Sequence, residues 1–249
     1  MSQESNKQGQ IDVDIKVEDT AGVATSDEPA PEEVSTFRLV ATLAIAGMLA
    51  GLLIVVVNLH TKPIIDKWKA EQLQLAVYEV LPGVERYDTF YLVNDELSAT
   101  LPEGAKESEF KRVYVGRDEK GETAGVAIFR GESGFQDVIM VIFGHDPATG
   151  KLSGMKILDS KETPGLGDKI FKDMDFVDQF FAGPETPLLA VKAGSGKGNP
   201  NEIDMITGAT ISSQAVIQII NNALAEWKPV LDRGIPLAPP ESAPVEEAP

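Results

Sequence analysis

Hydrophobic residues follow three different periods along this chain. Residues 39–59 form a continuous apolar run with no charged side chain, long enough to cross a bilayer as a helix. The run begins late, is long, and follows an acidic rather than a basic segment, all of which argue against a cleaved signal peptide. Residues 37–59 are therefore predicted to be one permanent transmembrane anchor. Gly47 and Gly51, four apart, suit close packing against another helix. A juxtamembrane helix is predicted over 60–82, with Pro63 at its start and Leu81-Pro82-Gly83 as its end. Ile64, Trp68, Leu75 and Tyr78 would be its buried stripe, packed on the domain that follows.

The second period is that of strands, with β-type runs at 89–93, 111–115, 124–130, 137–143 and 151–158. The turn Asp146-Pro147-Ala148-Thr149-Gly150 joins the last two into a hairpin. The third period is helical. Ile170, Met174, Val177 and Phe181 mark one amphipathic helix facing the core. Ala215/Ile219/Ala223/Trp227 and Val216/Ile220/Leu224 mark another, with Ser212 or Ser213 as N-cap and Pro229 as its stop. A further short strand is expected at 188–191. Antiparallel strands followed by helices define an α+β domain, here 83–235.

Both ends are different in kind. Residues 1–36 are acidic and poor in aromatics; between Glu4 and Glu33 the only basic residues are Lys7 and Lys16. The 236–249 segment is rich in Pro, Ala and Glu. Neither carries enough apolar surface to offset chain entropy, so both are expected to be disordered. The alternating stretch from Ile11 to Val17 is a lone short strand at most.

Charge and composition then narrow the function. The 249 residues carry a formal net charge of -17, which excludes a nucleic-acid partner. With no cysteine there is no disulfide, thiolate zinc site or cysteine-ligated iron–sulfur cluster. His60 and His145 have no ligand-spaced partner and are expected at the surface, so no metal is expected. Arg38 flanks the apolar run on one side, while Lys62, Lys67 and Lys69 follow it. Counting positive charges would place the folded domain in the cytoplasm.

Two strings carry candidate chemistry. Asp204-Met205-Ile206-Thr207-Gly208-Ala209-Thr210 leads into the last helix and reads as strand, turn and helix start. Such a turn supports either plain capping or an anion site at the free N–H groups of the helix N-terminus. Glu162-Thr163-Pro164-Gly165-Leu166-Gly167-Asp168-Lys169 lies between hairpin and helix, and its glycines let backbone approach a flat ligand. The segment Gly194-Ser195-Gly196-Lys197-Gly198 mimics a phosphate loop but fails the Walker spacing, and is expected to be an ordinary loop.

The first string closely resembles the flavinylation motif of proteins that carry FMN as a phosphoester on the motif's last threonine. The second also occurs in those proteins, in the same order. From the anchor through Trp227 the chain resembles the G subunits of Rnf ion-translocating electron-transport complexes. These are relatives of the C subunit of Na+-translocating NADH:quinone reductase. Thr-Pro-Gly-Leu-Gly-Asp-Lys and Ser-Ser-Gln-Ala-Val favour the Rnf branch. The family often has Gly-Tyr-x-Gly where this chain has Gly134-Phe135-Gln136-Asp137, and a histidine where it has Ser160.

The resemblance implies that a flavin transferase moves FMN from FAD onto Thr210 after recognising Asp204 and its successors. It implies that Thr207, Gly208 and Ala209 hold the phosphate. It also implies that Glu162, Thr163, Pro164, Gly165, Leu166 and Gly167 border the isoalloxazine ring. The protein would be a redox subunit without stand-alone catalysis, joined to other membrane subunits of the complex and to the lipid bilayer. Its domain would face the periplasmic side of a bacterial inner membrane, against the charge count. Two other readings compete: a C subunit or related FMN-domain flavoprotein, and a membrane-anchored binding module in which Thr207 and Thr210 merely cap a helix.

Overall fold

The computed structural model describes residues 35–196 and 198–237. The expected disordered tails fall outside these residues except at their inner ends. The chain divides into two units, Met1–Asn58 and Leu59–Pro249.

The first helix, α1, runs unbroken over the 45 residues Thr36–Val80. Among the described residues it is the one helix long and apolar enough to cross a membrane, with a mean hydropathy of 2.7 and none of that window buried. A Cβ on Gly47 or Gly51 would meet nothing within 4 Å, so neither packs against another element among the described residues. A separate juxtamembrane helix beginning at Pro63 does not form, because Pro63 lies inside α1. A proline removes one i→i−4 bond, which is too little to divide a helix whose neighbouring residues all continue it.

The second unit is built on a six-stranded antiparallel sheet in the order β2-β1-β3-β4-β5-β6. The strands are β1 Arg86–Val93, β2 Glu96–Ser98, β3 Arg112–Arg117, β4 Thr123–Ser133, β5 Val138–Asp146 and β6 Lys151–Ser160. The β5–β6 hairpin forms on the expected turn, with Asp146 opposite Lys151. Beyond the sheet come α2 Lys169–Lys172, α3 Met174–Phe181, β7 Leu189–Val191, β8 Glu202–Asp204 and α4 Thr210–Leu231. β7 and β8 form a separate parallel pair.

Strand alternation sends side chains into two cores. Val113, Val115, Val126, Ile128, Val141 and Phe143 face α4, where Val216, Ile219, Ile220, Ala223 and Trp227 are buried against them. The intervening Tyr114, Ala127 and Ile142 face the end of α1, at Ala76, Val77, Val80 and Leu81. The central strands are thus covered on both faces, which is why they read as near-continuous apolar runs.

Several expected faces are corrected by this packing. Ile64, Trp68, Leu75 and Tyr78 are exposed, and the buried stripe of α1 is Ala76, Val77 and Val80. The helix expected around Ile170 to Phe181 is two helices, because Asp173 is extended (φ -85°, ψ 101°). That break shifts the helical phase, so Phe176 and Phe180 are buried while Met174 and Phe181 are exposed. α4 continues through Pro229 to Leu231, and the buried Val230 and Leu231 hold its last turn to the core. His145 is not at the surface but 4% exposed near the end of β5. Burial, and then the charge of Lys228, hold its imidazole pKa below the ordinary value.

The end of α1 reaches the sheet through bare backbone. Ser153 Oγ donates to Val80 O at 2.6 Å, and a Cβ on Gly144 would lie 2.1 Å from that carbonyl oxygen. Gly144→Ala is therefore expected to push α1 off the sheet and to destabilise the domain by about 1–3 kcal/mol, as overpacking does. Denaturant unfolding of the full chain in detergent measures it. An unchanged midpoint would contradict the close docking.

Candidate functional site

The turn between β8 and α4 is braced from inside. Ile206 N–H donates to Ser213 Oγ at 3.2 Å, and that hydroxyl donates to Ala209 O at 2.8 Å. Gly208 takes φ +83°, a conformation L side chains rarely adopt. Neither Ser212 nor Ser213 is the N-cap: that residue is Ala209, which makes no side-chain cap hydrogen bond. The buried Ser212 and Ser213 face inward, whereas Thr207 and Thr210 are exposed. Among the described residues neither threonine hydroxyl has a hydrogen bond. The turn thus presents free hydroxyls beside the unpaired N–H groups and positive dipole end of a 22-residue helix.

One buried carboxylate ties this turn to the second string. Glu162, 5% exposed, accepts from Phe135 N–H at 2.8 Å and Gln136 N–H at 3.0 Å through Oε1, and from Ser212 Oγ at 2.7 Å through Oε2. Two glycines make room for it. A Cβ on Gly134 would lie 2.5 Å from Glu162 Oε1, and one on Gly167 2.5 Å from Glu162 Oε2 and 2.9 Å from Ser212 Oγ. Burial pushes the Glu162 carboxyl up, but the Gln136 N–H, the Ser212 hydroxyl and the Phe135 N–H outweigh it. The pKa is held below the ordinary 4.5.

Around this carboxylate the strings expected from the sequence converge. Thr163 Oγ1 donates to Gln136 Oε1 at 2.7 Å. Gly165 N–H donates to Asp168 Oδ1 at 2.7 Å, which shapes the loop that carries Pro164, Gly165 and Leu166 at the surface. Gly167 is buried against Ser212 and so seats that loop on the first turn of α4. Glu162 itself lies beneath the loop rather than on its outer face. The result is an exposed apolar rim: Phe135 (63% exposed) from the β4–β5 turn, Leu166 (53%) from the loop and Ile211 (57%) beside Thr210.

Asp204 does not join the rim. Its carboxylate accepts Gly196 N–H at 2.9 Å and so pins the loop after β7, while its backbone pairs with the Gln179 side chain at 2.7 and 3.2 Å. A cavity of about 1020 Å³ opens beside Thr207, lined by Lys169, Phe176, Gln179, Asp204 and Ile206 among others. Phe135, Gln136, Ser212 and Ile211 are site residues that sequence reasoning misses. Phe135, Gln136 and Ser212 meet Glu162 over long sequence separations, which leave no local signal; Phe135 stands out only as a departure from a pattern. Among the described residues no group of three or more His, Cys, Asp or Glu is placed to hold a metal. The turn offers exposed hydroxyls and the N–H groups of a helix N-terminus to an anionic ligand.

Residues 134–225 match the FMN-binding domain family, and these residues run from Gly134 under Glu162 to the middle of α4. The chain is 31% identical over 193 residues to the G subunit of the Na+-translocating ferredoxin:NAD+ oxidoreductase complex of Acetobacterium woodii, covering 77% of this chain and 91% of that one. It is 30% identical to the G subunit of the ion-translocating oxidoreductase complex of Escherichia coli K12, covering 73% of this chain and 86% of the relative. The crystal structure of Shewanella oneidensis NqrC superposes with a TM-score of 0.50 at 15% identity, over 64% of this chain and 88% of that one, and so shares the fold.

The Glu162 network can be tested without any ligand. Glu162→Gln leaves one acceptor oxygen for donors that now use two and points an NH2 at one of them, so it is expected to cost about 2–3 kcal/mol. Because the folded pKa is lowered, Glu162 stabilises the wild type fully above pH 4.5 and loses that contribution as pH falls through the folded value. Denaturant unfolding from neutral to acid pH should therefore show the gap between wild type and variant closing below pH 4.5. A gap that is absent, or constant with pH, would contradict the network.

Proposed function

The chain belongs to the family of G subunits of ion-translocating oxidoreductase complexes, and from that premise we propose that it is a membrane-anchored electron carrier with FMN esterified to Thr210. The observation that carries the proposal is the exposed, unbonded Thr210 hydroxyl on the first residue of α4, beside Ser212 and Ser213, which are tied inward; Thr207 is the other exposed, unbonded hydroxyl of the turn. A helix-capping role for Thr210 fits poorly, since Ala209 is the cap. This favours the carrier over a binding module without flavin.

The residues present fit an attached flavin. The bare backbone of Gly208 and the free N–H groups of the first turn of α4 would receive the phosphate. Thr207 stands exposed in the same turn. The ring would lie on the rim formed by Phe135, Leu166 and Ile211, above the loop from Thr163 to Gly167. Glu162 would hold that loop from below, and Asp204 would hold the β8–α4 turn at its start. Bound there, FMN supplies one- and two-electron chemistry, while the chain's part is to orient it, shield one face and set its electrostatic surroundings.

Attachment requires a transferase, since a threonine hydroxyl is a weak nucleophile at neutral pH. The hydroxyl oxygen would bond to the FMN phosphorus of FAD as the pyrophosphate bond breaks; AMP leaves with the bridging oxygen, and the hydroxyl proton passes to the transferase. α1 anchors the chain in the bacterial inner membrane, with the domain on the periplasmic side and the other membrane subunits as redox partners.

In-gel flavin fluorescence of the denatured chain, coexpressed with an active flavin transferase, tests the proposal. Wild type should fluoresce and Thr210→Val should not. Loss of the exposed hydroxyl should change stability by less than about 1 kcal/mol, as surface substitutions do. A dark wild type, or a fluorescent Thr210→Val, would overturn the assignment.

A further inference from the structure

Lys169 opens α2, immediately after the loop that Glu162 supports. It is half-buried, and among the described residues its ammonium has neither an ion pair nor a side-chain hydrogen bond. Of the acids around it, Asp173, Asp175 and Asp178 line the same cavity, while Asp168 and Asp204 are engaged elsewhere. Asp168 pairs with Lys172 Nζ at 2.5 Å and accepts Gly165 N–H, and Asp204 accepts Gly196 N–H. The side chain reaches instead across to the β8–α4 turn, where a Cβ on Gly208 would lie 4.0 Å from Lys169 Nζ.

That placement brings two positive features together. The first turn of α4 is the positive end of a helix dipole with unpaired N–H groups. A half-buried ammonium beside it, with no ion pair of its own, is stabilised by an anion lying between them. Gly208 has no side chain to fill the space, and its φ of +83° disfavours any residue that would. Lys172, three residues on, follows the ordinary course for a lysine and pairs with an acid.

We propose that Lys169 is the counter-cation of the flavin phosphate. This rests on the Thr210 reading and adds a residue to it: Lys169 neutralises the phosphoryl oxygens as the threonine oxygen bonds to phosphorus, and then the phosphodiester that remains. It is a positioning and charge-balancing residue; the threonine proton goes to the transferase, not to Lys169. No electrons change hands in the transfer.

The experiment follows initial flavinylation rates of the full-length chain in detergent, with FAD and excess transferase, for wild type, Lys169→Met and Lys169→Arg. Melting of the unlabelled proteins is measured in parallel. Lys169→Met should melt with the wild type but be labelled about tenfold more slowly, the effect of losing one charge-assisted contact. Lys169→Arg, which keeps the charge, should recover most of the rate. Added salt should slow the wild type more than Lys169→Met, because only the wild type has this attraction to screen. Labelling of Lys169→Met at the wild-type rate, or of Lys169→Arg as slowly as Lys169→Met, would overturn the role of Lys169 while leaving Thr210 as the attachment point. A wild type that takes no label overturns the attachment itself, and the role of Lys169 with it.

Discussion

A single buried carboxylate organises the functional end of this domain. Glu162 collects donors from the β4–β5 turn and from the first turn of α4, and it does so while carrying the loop between hairpin and α2 on its own backbone. Each of those segments is irregular or a helix end, with backbone groups that secondary structure cannot satisfy. A carboxylate with two acceptor oxygens satisfies several of them at once, and the resulting charge-assisted bonds are stronger than neutral ones. The same bonds keep Glu162 ionised in a buried place. Ser212 is thereby turned inward, and Thr210, two residues earlier on the helix, is left facing out.

The rest of the fold makes that arrangement rigid. The central strands are buried on both faces, by α4 on one side and by the last turns of α1 on the other. α4 therefore cannot shift relative to β4 and β5, whose connecting turn supplies two of the donors to Glu162. Because α1 ends on the sheet backbone at Gly144 and Ser153, its last turns belong to the domain's own core. A carrier that exchanges electrons with neighbours by proximity benefits from this stiffness, since the site is fixed on packed elements rather than on a mobile loop.

Much of this is legible in the sequence where the signal is local. The apolar run of α1, the hairpin at Asp146–Gly150 and both apolar rows of α4 follow from periodicity and turn chemistry, and they form. The strings around Glu162 and Thr210 are recognisable by their resemblance to flavinylated proteins, since their spacing alone supports plain capping and an ordinary loop as well. What is not legible depends on partners far along the chain. Glu162 meets Phe135 and Gln136 from 27 and 26 residues away, and nothing near Glu162 announces that its carboxylate is buried. The break at Asp173 and the continuity of α1 through Pro63 are set by what each segment packs on, which overrides local punctuation. The reach of Lys169 towards Gly208 is likewise a tertiary fact.

The central claim is that, of the two hydroxyls left exposed by the inward turn of Ser212 and Ser213, that of Thr210 carries the cofactor. Tandem mass spectrometry of the peptide spanning this turn, from protein coexpressed with an active transferase, tests it most directly. The account predicts a single FMN phosphoester located on Thr210, with Thr207, Ser212 and Ser213 unmodified. An unmodified peptide, or FMN located on any other hydroxyl, would contradict it.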